Sequence, residues 1–179
     1  ARLMAKAVTA VEGAFARSCD HVVVIHDRFR EYATTQLRVS QARISVIRNW
    51  THVAVPEALD RDAVRTGLDW SPDEVVVLHA GNIGEKQGLE NVVDAARWAQ
   101  EHDVRLRFVL MGDGNQRGAL KERGKGCTHL QFVPPVAERD FFGVLAAADV
   151  LLVNERPSLR EAAVPSKLTS YFAPGLPVL

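Results

Sequence analysis

The chain has 179 residues, 47% of them apolar and 25% charged, an ordinary balance for a globular protein and enough length to bury roughly 70% of the unfolded surface. Lysine plus arginine (22) equals aspartate plus glutamate (22), which argues against a general nucleic-acid binder, since that needs a basic field. No apolar run approaches the roughly 20 residues of a membrane-spanning helix, no secretory signal pattern opens the chain, and Cys19 and Cys127 lack metal-ligand or CxxC spacing, as expected of reduced thiols in a cytosolic protein.

Leu3, Ala7, Ala10, Val11, Ala14 and Phe15 recur at helical spacing and predict an amphipathic helix over 2–17. The first residue is not Met and lies inside that pattern, while PGLPVL at the other end stops as a strand begins. Both features predict a fragment of a longer protein. HVVVI (21–25) reads as a fully buried strand, DRFREYATTQL as a polar helix and ISVIR (44–48) as a further strand. NWTHVAVPEAL is irregular, carries a proline and is read as a linker. A short helix ending near Gly67 follows. Then come strand VVVLHA (75–80), a helix marked by Leu89, Val92, Val93, Ala96 and Ala99, strand LRFVLM (106–111), a helix around Arg117–Arg123 and strand LQFV (130–133). Helix ERDFFGVLAAA (138–148), strand DVLLV (149–153), a loop with Pro157, a helix near Lys167–Ala173 and a strand starting at Pro177 complete the order. Strands alternating with helices, each strand a continuous apolar run, predict a doubly wound parallel sheet buried on both faces.

Ligands of such sheets bind beyond the carboxyl ends of the strands, where helix N-termini suit phosphate. Three stretches qualify. VLHAGNIGEKQGLENVVDAA (77–96) puts Gly81, Gly84 and Lys86 after a strand; it matches neither a Walker A loop nor GxGxxG, and a phosphate turn and a plain strand-to-helix connection remain open. VLMGDGNQRG (109–118) places its third glycine one residue late for the dinucleotide fingerprint, which argues against an NAD-dependent oxidoreductase. VPSKLTSYFAPGLPV crowds Ser166, Lys167 and Thr169 at a helix start, as anion ligands or, for Ser166, as an N-cap. His79 is read as a satisfied core histidine, Asp149 as a cap on the turn into a strand, and the arginines of 97–123 as a solvated face.

These three stretches, in this order, resemble the donor-binding C-terminal half of GT-B glycosyltransferases of family 4, and within it the bacterial polysaccharide branch that includes colanic-acid and fucosamine transferases. DEVVVLHAGNIGEKQGLENVVDAA, FVLMGDGNQRGALKE, LQFVPPVAERDFFGVLAAADVLLV and VPSKLTSYFAPGLPVL carry the resemblance, and DHVVVIHDRFREY…ISVIRNWTHV resembles the end of the family's N-terminal half. It implies a remnant of the acceptor-side Rossmann-like domain over 1–48, an interdomain linker over 49–60 and a nucleotide-sugar-binding domain over 61–179. The implied reaction moves a sugar, with retention and without a metal or other cofactor, from a UDP- or GDP-linked donor to a hydroxyl of a glycan or lipid-linked acceptor. The implied setting is bacterial surface polysaccharide synthesis in the cytoplasm, with peripheral membrane association through the missing half. By motif match Gly81, Asn82 and Lys86 face the diphosphate, with Lys86 the catalytic cation, joined by Ser166, Lys167 and Thr169. Gly112, Asp113 and Gly114 border the nucleoside, and the backbone at Val133 and Val136 meets the base. The family's arginine near Asn82 is absent. Its two glutamates fall on Ala162 and Ser170, leaving Glu155, Glu161 and Ser170 as donor-sugar candidates. That loss also admits a non-catalytic nucleotide-sugar-binding or regulatory module of the same fold.

Overall fold

The structure, a computed structural model, describes residues 2–50, 59–156 and 165–179. The chain divides into two compact units, residues 1–50 and 51–179. Most of the linker stretch, together with Pro157, Glu161 and Ala162, lies outside the described residues.

In the first unit α1 (Arg2–Ser18), β1 (Val22–Val24), α2 (Asp27–Thr35) and β2 (Ile44–Val46) form a parallel strand pair with helices. Its core is Ala33, Leu37, Val39 and Ile44, with Ala16, Val22 and Val24 packed against it. HVVVI is not the fully buried strand expected from its composition, because Val23 is 57% exposed. Alternate side chains of a strand leave by opposite faces, and the described core of this unit lines only the face of Val22 and Val24.

In the second unit α3 (Arg61–Gly67) leads into β3 (Val75–Ala80), α4 (Glu90–Glu101), β4 (Leu106–Met111), α5 (Arg117–Arg123), β5 (Leu130–Val133), α6 (Glu138–Ala147), β6 (Val150–Leu151) and α7 (Lys167–Tyr171). Asp60 caps α3, its Oδ1 accepting from the Ala63 N–H at 2.9 Å. The strands lie in the order β5-β4-β3-β6, all parallel. Val76, Leu78 and Ala80 enter one apolar cluster with Phe142, Leu145 and Tyr171. Val77 enters the other with Leu89, Val92, Val93 and Leu120. Both faces of the sheet are therefore covered, and the expected doubly wound architecture is the observed one. DVLLV is shorter as a strand than its sequence suggests. Leu152 donates to Leu78 O at 2.8 Å, but the Val153 N–H turns to Leu179 O at 2.8 Å, while Val178 bridges Leu151 from the other side.

The strand order sets the position of the site. The chain steps from β3 to β4 to β5, then returns to the far side of β3 as β6. The order reverses at β3, so the helices on either side of that point diverge and leave a crevice at its carboxyl end.

Candidate functional site

Three segments meet at the carboxyl end of β3. The first is its own exit turn, where Gly81 (φ 132°) donates to Met111 O at 2.9 Å. The second is the exit of β4, where Gly112 (φ 137°) donates to Val133 O at 3.0 Å. The two turns touch: a Cβ at Gly112 would stand 1.9 Å from Gly81 O. Ile83 donates to Asp113 O at 2.8 Å, and Asp113 Oδ1 accepts from Gly114 N at 2.8 Å. Gly81, Asn82, Gly112, Asp113 and Gly114 thus form one double turn.

The third segment is α7. Tyr171 is fully buried, and its hydroxyl accepts from Ala80 N at 2.7 Å and donates to Ala80 O at 3.1 Å. Along β3 the groups of Leu78 face β6, but β6 has already turned away at the level of Ala80. The phenol takes the place of the missing strand partner, as buried backbone groups demand. Burial pushes its pKa up to about 12, so it remains a donor. Lys167 stands four residues earlier on the same helix face. A Cβ at Gly81 would lie 3.7 Å from Lys167 Nζ. The ammonium is half-buried, and burial lowers its pKa to about 8, opposed by the charge of Glu155. It is therefore mainly charged near neutral pH.

Lys86 occupies an exposed 3-10 turn, Glu85–Gln87, whose carbonyls are held from β6's exit. Asn154 Nδ2 donates to Gln87 O at 2.6 Å and to Gly88 O at 3.0 Å, and the Arg156 N–H donates to Lys86 O at 3.0 Å. Arg156 also pairs with Glu90 at 2.9 Å. Ser166 makes no side-chain cap, while Thr169 Oγ1 donates to Ser166 O at 2.8 Å and so turns its proton back on its own helix. Val133 is buried with its carbonyl accepting from Gly112, and Val136 packs against the core. Glu155 is exposed and Ser170 partly buried.

His79 departs from its sequence reading. It is fully buried, but Nδ1 has no hydrogen-bond partner, and Nε2 faces both Asn82 O at 3.3 Å and Lys167 Nζ at 3.5 Å. Burial, then the Lys167 charge, lowers its pKa to about 4 against backbone contacts from Asn82 and Leu152. The unfolded chain takes up this proton near pH 6.5 and the folded chain only near 4, so stability falls as the pH drops through that window, by about 3 kcal/mol at full extent. Urea midpoints at pH 7 and 4.5 should show this loss in the parent and a smaller one in His79→Gln. No change of slope with pH between the two proteins would remove the assignment.

The sequence reading missed Tyr171 and Asn154. The four-residue spacing from Lys167 to Tyr171 was a usable signal; nothing local marks Asn154. Two other readings are corrected. Asp149 does not cap its own turn but accepts from Val76 N on β3 and pairs with Arg65 and Arg61. Arg107 is no solvated residue, for it grips Glu74 in a two-point pair at 2.7 and 2.8 Å. Among the described residues no cluster of three or more His, Cys, Asp or Glu side chains is arranged to hold a metal ion, and no helix is long and apolar enough to cross a membrane.

The sequence model of a family described as "Glycosyl transferases group 1" matches residues 74–179, more than half of the chain. The chain belongs to this family. It is 32% identical over 178 residues to Escherichia coli K12 WcaI, a candidate colanic acid biosynthesis glycosyl transferase, covering 96% of this chain and 43% of that one. It is 32% identical over 103 residues to Pseudomonas aeruginosa WbjE, described as a glycosyltransferase, covering 55% of this chain and 25% of that one. The chain thus spans less than half the length of these relatives. Among solved structures it resembles WaaG, a glycosyltransferase involved in lipopolysaccharide biosynthesis (TM-score 0.70, 18% identity, 87% of this chain and 42% of that one). It also resembles Anabaena HepE in complex with UDP-glucose (TM-score 0.72, 18% identity, 97% of this chain and 48% of that one). The fold is that of the GT-B glycosyltransferases, as the resemblance implied.

Proposed function

We infer that residues 61–179 of this group 1 glycosyl transferase chain bind the nucleotide diphosphate sugar of a sugar-transfer reaction. Residues 1–48 would be the end of an acceptor-side domain, with 49–60 the crossing between them. The observation that carries this reading is the Lys167 ammonium against the Gly81 turn at the switch point of the sheet. The reaction breaks the bond between the sugar's anomeric carbon and the diphosphate, so negative charge grows on the leaving group. A half-desolvated ammonium and fixed backbone N–H groups stabilise such charge more strongly than water-exposed ones. Lys167 and Lys86, with the backbone of Gly81 and Asn82, would face the diphosphate in place of a metal. Gly112, Asp113 and Gly114 would border the nucleoside and the backbone at Val133 and Val136 the base, while Ser166 and Thr169 line the phosphates. Glu155, Glu161 and Ser170 are the candidates for the donor sugar. WcaI is named for colanic acid biosynthesis and WaaG for lipopolysaccharide biosynthesis, which supports a place in bacterial surface polysaccharide synthesis. In this reading the sugar would pass, with retention, to a glycan or lipid-linked hydroxyl at the cytoplasmic face of the membrane.

Calorimetry with UDP-glucose, GDP-mannose and NADH tests the reading. Lys167→Met should weaken the nucleotide sugar that binds by about 10–100-fold, the value of a lost charge-assisted hydrogen bond, and exposed Lys86→Ala by about tenfold or less. Parent affinity should fall as the pH rises through about 8, where Lys167, facing His79 and the charge of Glu155, loses its proton. Tight NADH binding with neither nucleotide sugar bound sinks the reading. Nucleotide-sugar binding without turnover in a longer protein carrying the acceptor half would favour the regulatory module instead.

A further inference from the structure

We propose that His79 is a positioning residue for the donor-phosphate cation: its neutral, buried imidazole accepts from Lys167 at Nε2 and holds that ammonium over Gly81. The inference rests on the reading of Lys167 as a phosphate ligand and adds a residue to that site. Tyr171 anchors α7 to the last residue of β3, which fixes the Lys167 backbone. A lysine side chain still has four rotatable bonds beyond that point and loses rotamer entropy when held in one place. Something must select the conformer that lies over Gly81. His79 Nε2, 3.5 Å from Nζ, is the acceptor that faces it. Glu155 is exposed and attracts the ammonium without an ion pair among the described salt bridges.

One ring nitrogen faces two claimants of opposite kind. Asn82 O, at 3.3 Å, asks for an N–H, whereas the ammonium asks for a lone pair. Nε2 can satisfy one at a time. The ammonium is the stronger claimant because its hydrogen bond is charge-assisted, which leaves the ring proton on Nδ1. A doubly protonated ring would set two positive charges 3.5 Å apart in a buried place, and its low pKa, about 4, prevents that near neutrality. The contact with Lys167 gives a use to a histidine buried where a leucine would fill the space without polar cost, even though its Nδ1 has no hydrogen-bond partner.

The test uses the full 179-residue chain with UDP-glucose and GDP-mannose as probes, in a cycle of His79→Leu, Lys167→Met and the double variant, with His79→Gln as the acceptor-retaining control. His79→Leu should weaken binding about fivefold to tenfold in the parent and have no further effect on Lys167→Met, and His79→Gln should recover most of the loss. Nitrogen-15 shifts of His79 in the unliganded chain should show a bare Nε2 that changes in Lys167→Met. Equal losses in both lysine backgrounds, or an Nε2–H tautomer indifferent to Lys167→Met, overturns the proposal. If His79→Leu does not fold, the glutamine variant and the tautomer decide. If Lys167→Met binds as the parent does, or neither probe binds, the donor-site reading fails, and the nitrogen shifts still judge the His79–Lys167 contact by themselves.

Discussion

Gly112→Ala should abolish nucleotide-sugar binding and lower the melting temperature of the 51–179 unit by roughly 6–12 °C, from a cost of about 3 kcal/mol. Two physical terms add. Gly112 has φ 137°, a region that L side chains rarely adopt. Its added Cβ would also stand 1.9 Å from Gly81 O and 2.9 Å from Gly81 C, both backbone atoms that cannot swing aside as a side-chain end would. Relief therefore requires one of the two turns to move. Either movement breaks the Gly112 N–H bond to Val133 O or the Gly81 N–H bond to Met111 O, and it displaces the surface over which Lys167 sits. Gly118, in the first turn of α5, has nothing within 4 Å of a built Cβ. Gly118→Ala should leave binding unchanged and stability within about 0.5 kcal/mol. Thermal unfolding by circular dichroism and calorimetry with UDP-glucose and GDP-mannose separate the two variants. A Gly112→Ala protein that binds like the parent would show that the two turns do not need their close approach.

The sheet was legible because both of its faces are buried. VVVLHA and LRFVLM are apolar but for His79 and Arg107, without the regular alternation of a half-exposed sheet, and the Leu89, Val92, Val93, Ala96 series has the helical period. Where pairing ends is not written locally. DVLLV looks like five residues of strand, but the partner on its outer side is Val178, and the Val153 N–H goes to Leu179. HVVVI has the composition of a buried strand and exposes Val23 all the same.

The site divides in the same way. Glycines after strands and a lysine at the start of a helix are local signals, and they led to Gly81, Gly112 and Lys167. The groups that hold those residues in place come from far along the chain. Tyr171 reaches Ala80 across 91 positions, Asn154 reaches Gln87 across 67, and Lys167 meets His79 across 88. No periodicity joins positions so distant. They become neighbours only because β6 returns to the far side of β3, a fact about strand order that the sequence does not express.

Asp149→Ala should cost the 51–179 unit about 3–5 kcal/mol, the price of leaving a buried charge unpaired. Its Oδ2 accepts from Val76 N at 2.7 Å and from Arg65 Nη1 at 3.1 Å, and its Oδ1 meets Arg61 Nη2 at 2.5 Å. The Arg65 side chain is only 4% exposed. Its other bonds go to neutral carbonyls, Ala147 O at 3.0 Å, Ser71 O at 2.5 Å and Glu74 O at 2.8 Å. Without Asp149 the guanidinium keeps its solvation by carbonyls but loses its counter-charge, and Val76 N loses its acceptor. Asp149→Asn keeps an acceptor for Val76 and should lose less. Adding Arg65→Met to Asp149→Ala should cost less than the sum of the single changes, because the stranded charge is then gone. Burial raises the Asp149 pKa, but the Val76 N–H, Arg65 and Arg61 outweigh it and hold the carboxyl below its ordinary 3.8. The stabilisation is thus complete above that value and is lost as the pH falls through the lower folded one, a loss Asp149→Asn should lack in acid unfolding. Additive costs in the double variant would show that the ion pair carries no coupling. The position of Asp149 gives the loss a reach beyond stability: it pins the start of β6 to β3, and the exit of the same short strand carries Asn154 and Arg156 to the turn of Lys86. Folded Asp149→Ala, which removes the Val76 acceptor, should for that reason bind a nucleotide sugar more weakly than the parent, and Asp149→Asn, which keeps it, should bind nearly as the parent does.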